Sequence, residues 1–160
     1  MSVSPDEFRA VLGRFATGVT VLTARDASGG DHGMTVSAFS SVSLQPPLVL
    51  ACISRDADMY AVLSQATHFG ISVLTVAQEP LSRRFAELVT GRFEGVPFSR
   101  GATGVALLDG ALGCLECRRV SWSDAGDHGI CVGEVLHTRE SGTTSAPLLY
   151  YRGAYARLGQ

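Results

Sequence analysis

The chain has 160 residues, of which 46% are hydrophobic and 18% charged, and its formal net charge is −2. That is enough apolar side chain for a core and one domain spanning 1–160, and it is not the composition of a disordered chain. The weak negative charge, with Arg83-Arg84 and Arg118-Arg119 as the only basic doublets, argues against nucleic acid as a partner. No run approaches the ~20 apolar residues of a membrane span. The polar, acidic start is no signal peptide, so a cytoplasmic protein is expected.

In chain order, Ser4 followed by Pro5 and Glu7 predicts a helix start with a capping box. Phe8, Val11, Leu12 and Phe15 give that helix an apolar stripe. Gly18 to Ala24 predicts a strand, followed by a hairpin loop over Asp26 to Asp31. The run from Gly33 to Leu44 then alternates. Its odd positions, Thr35, Ser37, Phe39, Ser41 and Ser43, mostly carry hydroxyls, and its even positions, Met34, Val36, Ala38, Ser40, Val42 and Leu44, are nearly all apolar. As one strand it would pack one face into a core and offer hydroxyls and backbone amides on the other. That outer face suits a flat, polar-edged, phosphate-bearing ligand; a solvated Ser/Thr-rich face would read the same way.

Gln45-Pro46-Pro47 interrupts the ladder, and Leu48 to Ile53 reads as a buried strand. Asp56 to Ser64 predicts a helix with an acidic first turn, His68 to Val76 a strand, and Glu79 to Leu88 a short helix. Gly91 to Thr103 reads as the longest loop. Three strands close the chain, Ala111–Ser121, His128–Thr138 and Leu148–Leu158, with Trp122 and Phe93 expected only to pack. Short strands with regular turn signals and two or three brief helices predict a mainly β, barrel-like fold.

Cys114 and Cys117 have the spacing of zinc and redox ligands. On a strand, however, positions three apart point to opposite faces, and Cys52 and Cys131 supply no second pair. Buried free thiols and no metal are expected. Glycine-rich dinucleotide and phosphate loops and a nucleophile elbow are all missing from the sequence.

The run from Gly33 to Ser54 resembles the ligand-binding signature of the short-chain flavin reductases, the small partners of two-component flavin-dependent monooxygenases. Other blocks resemble that family in the same order: Phe15 to Thr23, Phe69 to Leu74, Arg84-Phe85-Ala86, Gly126-Asp127-His128 with Gly133-Glu134-Val135, and Pro147 to Tyr155. The resemblance implies an antiparallel split β-barrel of Greek-key type, usually a homodimer with flavin at the subunit interface. It also implies an NAD(P)H:flavin oxidoreductase that reduces FMN or FAD by hydride transfer and supplies diffusible reduced flavin to a partner monooxygenase. Alternatives are a split-barrel flavoprotein that retains its flavin and oxidises an organic substrate directly, or a non-catalytic flavin-binding protein.

Carried over residue by residue, the resemblance lines the isoalloxazine edge with Met34, Thr35, Val36 and Ser37, beside Ala38; Thr35 and Ser37 would add side-chain hydrogen bonds. It sets Ser40, Ser41, Cys52, Ile53 and Ser54 near the ring and ribityl chain. The phosphate is expected at the helix beginning Asp58-Met59 and at Arg84, next to Phe85. Asp58 stands where some relatives carry a neutral polar residue, so it is expected to cap its helix rather than meet a phosphate. Tyr151, Arg152, Gly153 and Tyr155 fall on the nicotinamide side (NADH or NADPH). His128 is the catalytic candidate; the plainer reading is a turn histidine bonded to Asp127.

Overall fold

A computed structural model describes residues 3–87 and 90–159. Helix α1 (Pro5–Leu12) begins as predicted: the Ser4 hydroxyl accepts from the Glu7 N–H, and the Glu7 carboxylate accepts from the Ser4 N–H at 2.9 Å. Its apolar stripe, however, joins no core. None of its residues is buried, and Phe8, Val11 and Phe15 are 59%, 67% and 74% exposed.

Strands β1 (Thr17–Gly18), β2 (Thr20–Arg25), β3 (Asp31–Val36), β4 (Phe39–Leu44) and β5 (Pro47–Ser54) follow, then α2 (Asp58–Gln65) and β6 (His68–Val73). A 3₁₀ turn over Val76–Gln78 leads into α3 (Glu79–Ala86); the predicted helix end at Leu88 lies outside the described residues. Strands β7 (Phe98–Arg100), β8 (Ala106–Leu108), β9 (Gly113–Ala125), β10 (His128–Glu140), β11 (Leu149–Tyr151) and β12 (Ala154–Ala156) complete the chain. No helix of the described residues is long and apolar enough to cross a membrane.

Seven strands pair antiparallel in the order β3-β2-β6-β9-β10-β5-β4, beside a three-stranded sheet β1-β11-β12 and the hairpin β7-β8. The two edges of the large sheet, β3 and β4, are consecutive in sequence and separated only by Ser37 and Ala38. The sheet therefore curls until its edges approach, without a ladder closing them: a split barrel. α2 plugs the interior with Met59 and Leu63 against Leu22, Ile53, Phe69 and Ile71. A second core lies on the outer side of β2, where Val19, Val21, Leu74, Leu108 and Leu148 meet Phe85 of α3. With both faces covered, every residue of β2 from Thr20 to Ala24 is buried. Each fully buried Leu, Ile or Phe contributes about 1.5–3 kcal/mol.

Three sequence expectations fail here. The run from Gly33 to Leu44 is two strands, and the link at Ser37-Ala38 inverts the phase: Met34 and Val36 face the barrel interior in β3, but Phe39 does so in β4, leaving Ala38, Val42 and Leu44 exposed. Leu148–Leu158 is a hairpin, because Arg152 and Gly153 take positive φ (54° and 77°), as a two-residue turn of right-handed twist demands. The expected loop from Gly91 to Thr103 holds β7, whose partner β8 follows the glycine turn at Gly104.

Candidate cofactor-binding groove

β3 is an edge strand, and its free side is the feature on which the groove is built. The Val19 carbonyl bonds to Leu74 of the β6 side and the Thr20 hydroxyl to the Val36 carbonyl, so Met34 and Val36 turn their peptide groups to β2. By the alternation of an antiparallel ladder, the N–H and C=O of Gly33 and Thr35 face away from it. Arg92 takes the Gly33 carbonyl at 2.8 Å. Beyond it, Thr35 presents its peptide edge, and the Ser37 N–H makes no backbone hydrogen bond among the described residues.

Cavities flank this edge. One of about 240 Å³ is walled by Val19, Thr35, Ser37, Ala86, Tyr150 and Tyr155. It shares Ser37 and Tyr150 with a second, of about 360 Å³, formed by Thr17, Arg152, Gly153 and the exposed face of α1. A third, of about 500 Å³, lies towards the other end of β3, between Asp31, His32 and Gly33, the start of α2 at Asp58 and Met59, and the loop Thr90–Glu94. Gly33 is required there, since a Cβ would stand 2.6 Å from the Phe85 ring and 3.2 Å from Phe93.

Of the predicted site residues, Thr35, Ser37, Tyr155, Arg152 and Gly153 come together around the first two cavities, and Asp58 and Met59 line the third. The Thr35 hydroxyl is already engaged: it donates to the Ser82 carbonyl at 2.6 Å. Thr35 therefore offers a ligand its backbone rather than that proton. Val36, Ile53 and Phe85 are buried in the two cores, and Met34 packs against the barrel interior; none of the four lines these cavities. Ser40 and Ser41 lie exposed on β4, outside these cavities, as do the half-buried Cys52 and Ser54 on β5 and the exposed Tyr151.

Arg84 donates to the carbonyls of Gly91 and Glu94 (2.9 and 2.7 Å), clasping the loop over the third cavity. The expected cap at Asp58 is not formed: Ala57 is the N-cap of α2 and no side chain caps it. His128 makes the plainer contact, Nδ1 at 2.7 Å from the Asp127 carboxylate, which holds that carboxyl below its ordinary range. The turn abuts the approach to α2 through a bond from the Arg55 N–H to the Asp127 carbonyl.

Tyr150, Thr17, Arg92 and Gly33 join the groove without being site candidates in the sequence. Tyr150 and Tyr151 occupy opposite faces of β11, and the adjacent pair carries no sign of which faces the groove.

All four cysteines are free. Cys114 and Cys117 fall in different cores, as their strand spacing predicts. Burial pushes the Cys117 and Cys131 thiols up to about 12, which removes them as nucleophiles or ligands. No cluster with metal-binding composition occurs among the described residues.

The chain matches the family model described as "Flavin reductase like domain" over residues 12–159. It belongs to the flavin reductase-like family. Within that family it is 44% identical to an FMN reductase (NADH) of Agrobacterium fabrum, over 96% of this chain and 86% of that protein. It is 34% identical to the reductase subunit of a flavin-dependent monooxygenase of Rhodococcus jostii, over 96% and 78% of the two chains. It also superposes on an NADH:FAD oxidoreductase of Streptomyces globisporus, solved with NAD and FAD fragments, with a TM-score of 0.91 at 36% identity, covering 99% and 97%.

The groove's donor set fits the family's cofactor. A flat heteroaromatic rim of alternating donors and acceptors would meet the outward peptide groups of Thr35 and the Ser37 N–H, in a cavity also lined by Tyr150 and Tyr155. The Thr17 hydroxyl nearby is buried without a hydrogen-bond partner among the described residues.

Proposed function

We propose that this protein is an NADH-dependent flavin reductase of the two-component type, handing reduced flavin to a separate monooxygenase. The carrying observation is the open peptide edge of Thr35 and Ser37 facing Tyr150 and Tyr155, in a chain of this family. Relatives named for FMN and for FAD both occur, and NADH is the nucleotide that their names print. Bound together, the two cofactors carry the chemistry themselves: NADH gives up a hydride, two electrons with one proton, and oxidised flavin takes it.

The chain's part is to bind and align. Thr35 and Ser37 would hold the pyrimidine rim through peptide groups, Ser37 adding its hydroxyl, and the tyrosine wall would exclude water. The start of α2 and Arg92 lie where a phosphate-bearing tail would extend; Asp58 and Glu94 at that rim favour a tail that points past them to solvent. His128 is carried as a residue that orders the turn beside α2. Purified protein mixed with NADH or NADPH, with and without FMN or FAD, tests the reading through the fall in nicotinamide absorbance. Flavin-dependent consumption is the expected result, and none by folded protein would overturn it.

Homodimerisation forms part of the proposal. A helix with no buried residue and an exposed row of Phe8, Val11, Leu12 and Phe15 needs a cover, and that row is continuous with the cavity at Ser37 and Tyr150. A second copy laid there would shield both. The variant carrying Phe8→Asp and Phe15→Asp is therefore expected to run as a monomer in light scattering and to lose flavin affinity; a monomeric parent would sink the idea. The need for NADH and the free cysteines favour the cytoplasm.

A further inference from the structure

Ser82 stands inside α3 and is fully buried. Serine is a poorer helix residue than alanine, and a buried hydroxyl is costly unless bonded. Here it is bonded twice, through different atoms. Its hydroxyl lies 2.7 Å from the Tyr155 phenol, and its carbonyl accepts the Thr35 hydroxyl at 2.6 Å. One residue thus ties β3 to β12, both of which line the cavity beside Ser37. The Tyr155 ring is held from two further sides: the Arg83 guanidinium lies 4.6 Å over it, itself paired with Glu79 at 2.6 Å, and Tyr150 meets it edge-on at 5.6 Å.

We propose that Ser82 is a positioning residue for hydride transfer. It fixes the span between the peptide edge of β3 and the Tyr155 ring, and with it the spacing at which flavin and nicotinamide are held. The inference rests on the flavin reductase reading above. It goes further by naming a residue that touches neither cofactor and acts through two that line the cavity. Hydride transfer is steeply sensitive to separation, and a misplacement of about 1 Å can cost a hundredfold. Binding draws on many contacts at once and responds less.

The test compares Ser82→Ala, Tyr155→Phe and the double variant of the full chain, reading flavin affinity by fluorescence titration, flavin reduction by stopped flow, and melting temperature. Each single variant is expected to reduce flavin about tenfold more slowly, with affinity changed less than about threefold. The double variant should be no slower than the worse single, because both changes remove the same bond. Reduction at the parent rate, with only the melting temperature lowered, would overturn the inference, as would losses that multiply in the double variant. Should Ser82→Ala fail to fold, Tyr155→Phe removes only a phenol oxygen and decides the matter on its own rate. A parent chain that oxidises no NADH with flavin overturns the reading itself; a working parent with unimpaired variants overturns only the role of Ser82.

Discussion

Ser37→Tyr is expected to lower flavin-dependent NADH oxidation a hundredfold or more while leaving the melting temperature within a few degrees. The residue sits in the two-residue link between β3 and β4, half-buried, and it lines both cavities that meet at Tyr150. A phenol there projects into the hollow rather than into either core, so the added volume displaces ligand instead of protein. A tyrosine side chain at this position would take up space in the cavity of about 240 Å³ that a ligand ring needs. Ser37→Ala serves as the partner measurement. It keeps the N–H and loses only a hydroxyl bond, worth about 0.5–1.5 kcal/mol, so affinity should fall about tenfold at most. Unchanged flavin affinity in Ser37→Tyr would place the ring elsewhere in the molecule.

Ser37 lies in the stretch whose alternation is plainest in the sequence and whose fold follows that alternation only as far as the end of β3. Period-two alternation marks the odd-numbered face from Thr35 to Ser43 as a candidate ligand surface, the resemblance narrows it to Met34–Ser37, and cavities lie along Thr35 and Ser37 of that stretch. What alternation cannot encode is the break at Ser37-Ala38, where the barrel edges meet and the phase inverts; neither glycine nor proline marks it. The same blindness hid the turn at Arg152-Gly153, since an arginine with φ of 54° carries no turn signal. Capping chemistry was legible at Ser4 and Glu7 because it is local. The fate of the apolar stripe on α1 was not, because burial is a tertiary property. The resemblance offers the Thr35 hydroxyl and the Arg84 guanidinium to a ligand, but long-range bonds to the Ser82 carbonyl and to the loop at Gly91–Glu94 engage both. Only a resemblance in block order gave the barrel its topology; seven short strands alone are compatible with several sandwiches and barrels.

Glu116→Ala is expected to destabilise the fold by about 3 kcal/mol or more, with Glu116→Gln costing roughly half of that. Glu116 is a buried carboxylate on β9, and the hairpin from β7 to β8 is fastened to it. Its oxygens accept the Ala102 N–H at 3.0 Å, the Thr103 N–H at 2.7 Å and the Thr103 hydroxyl at 2.6 Å. Gly101 packs so closely on the carboxylate that no Cβ could stand there. Truncation leaves three donors in a dry site, whereas the glutamine oxygen can still accept from some of them. Burial by itself would raise this carboxyl. The Thr103 hydroxyl and the two N–H groups, helped by His137, outweigh burial and hold the carboxyl below its ordinary range. A lowered folded-state pKa means that the proton binds more tightly to the unfolded chain, so this stabilisation is complete above the ordinary glutamate range and is lost as the pH falls through the folded value. The gap between the parent chain and Glu116→Gln in urea unfolding should therefore be widest near neutral pH and narrow steadily in acid. A gap that stays constant or widens in acid would mean that the hairpin is held by the Thr23 hydroxyl on the Ala106 carbonyl and by the apolar contacts of Leu107, and not by the charge on Glu116.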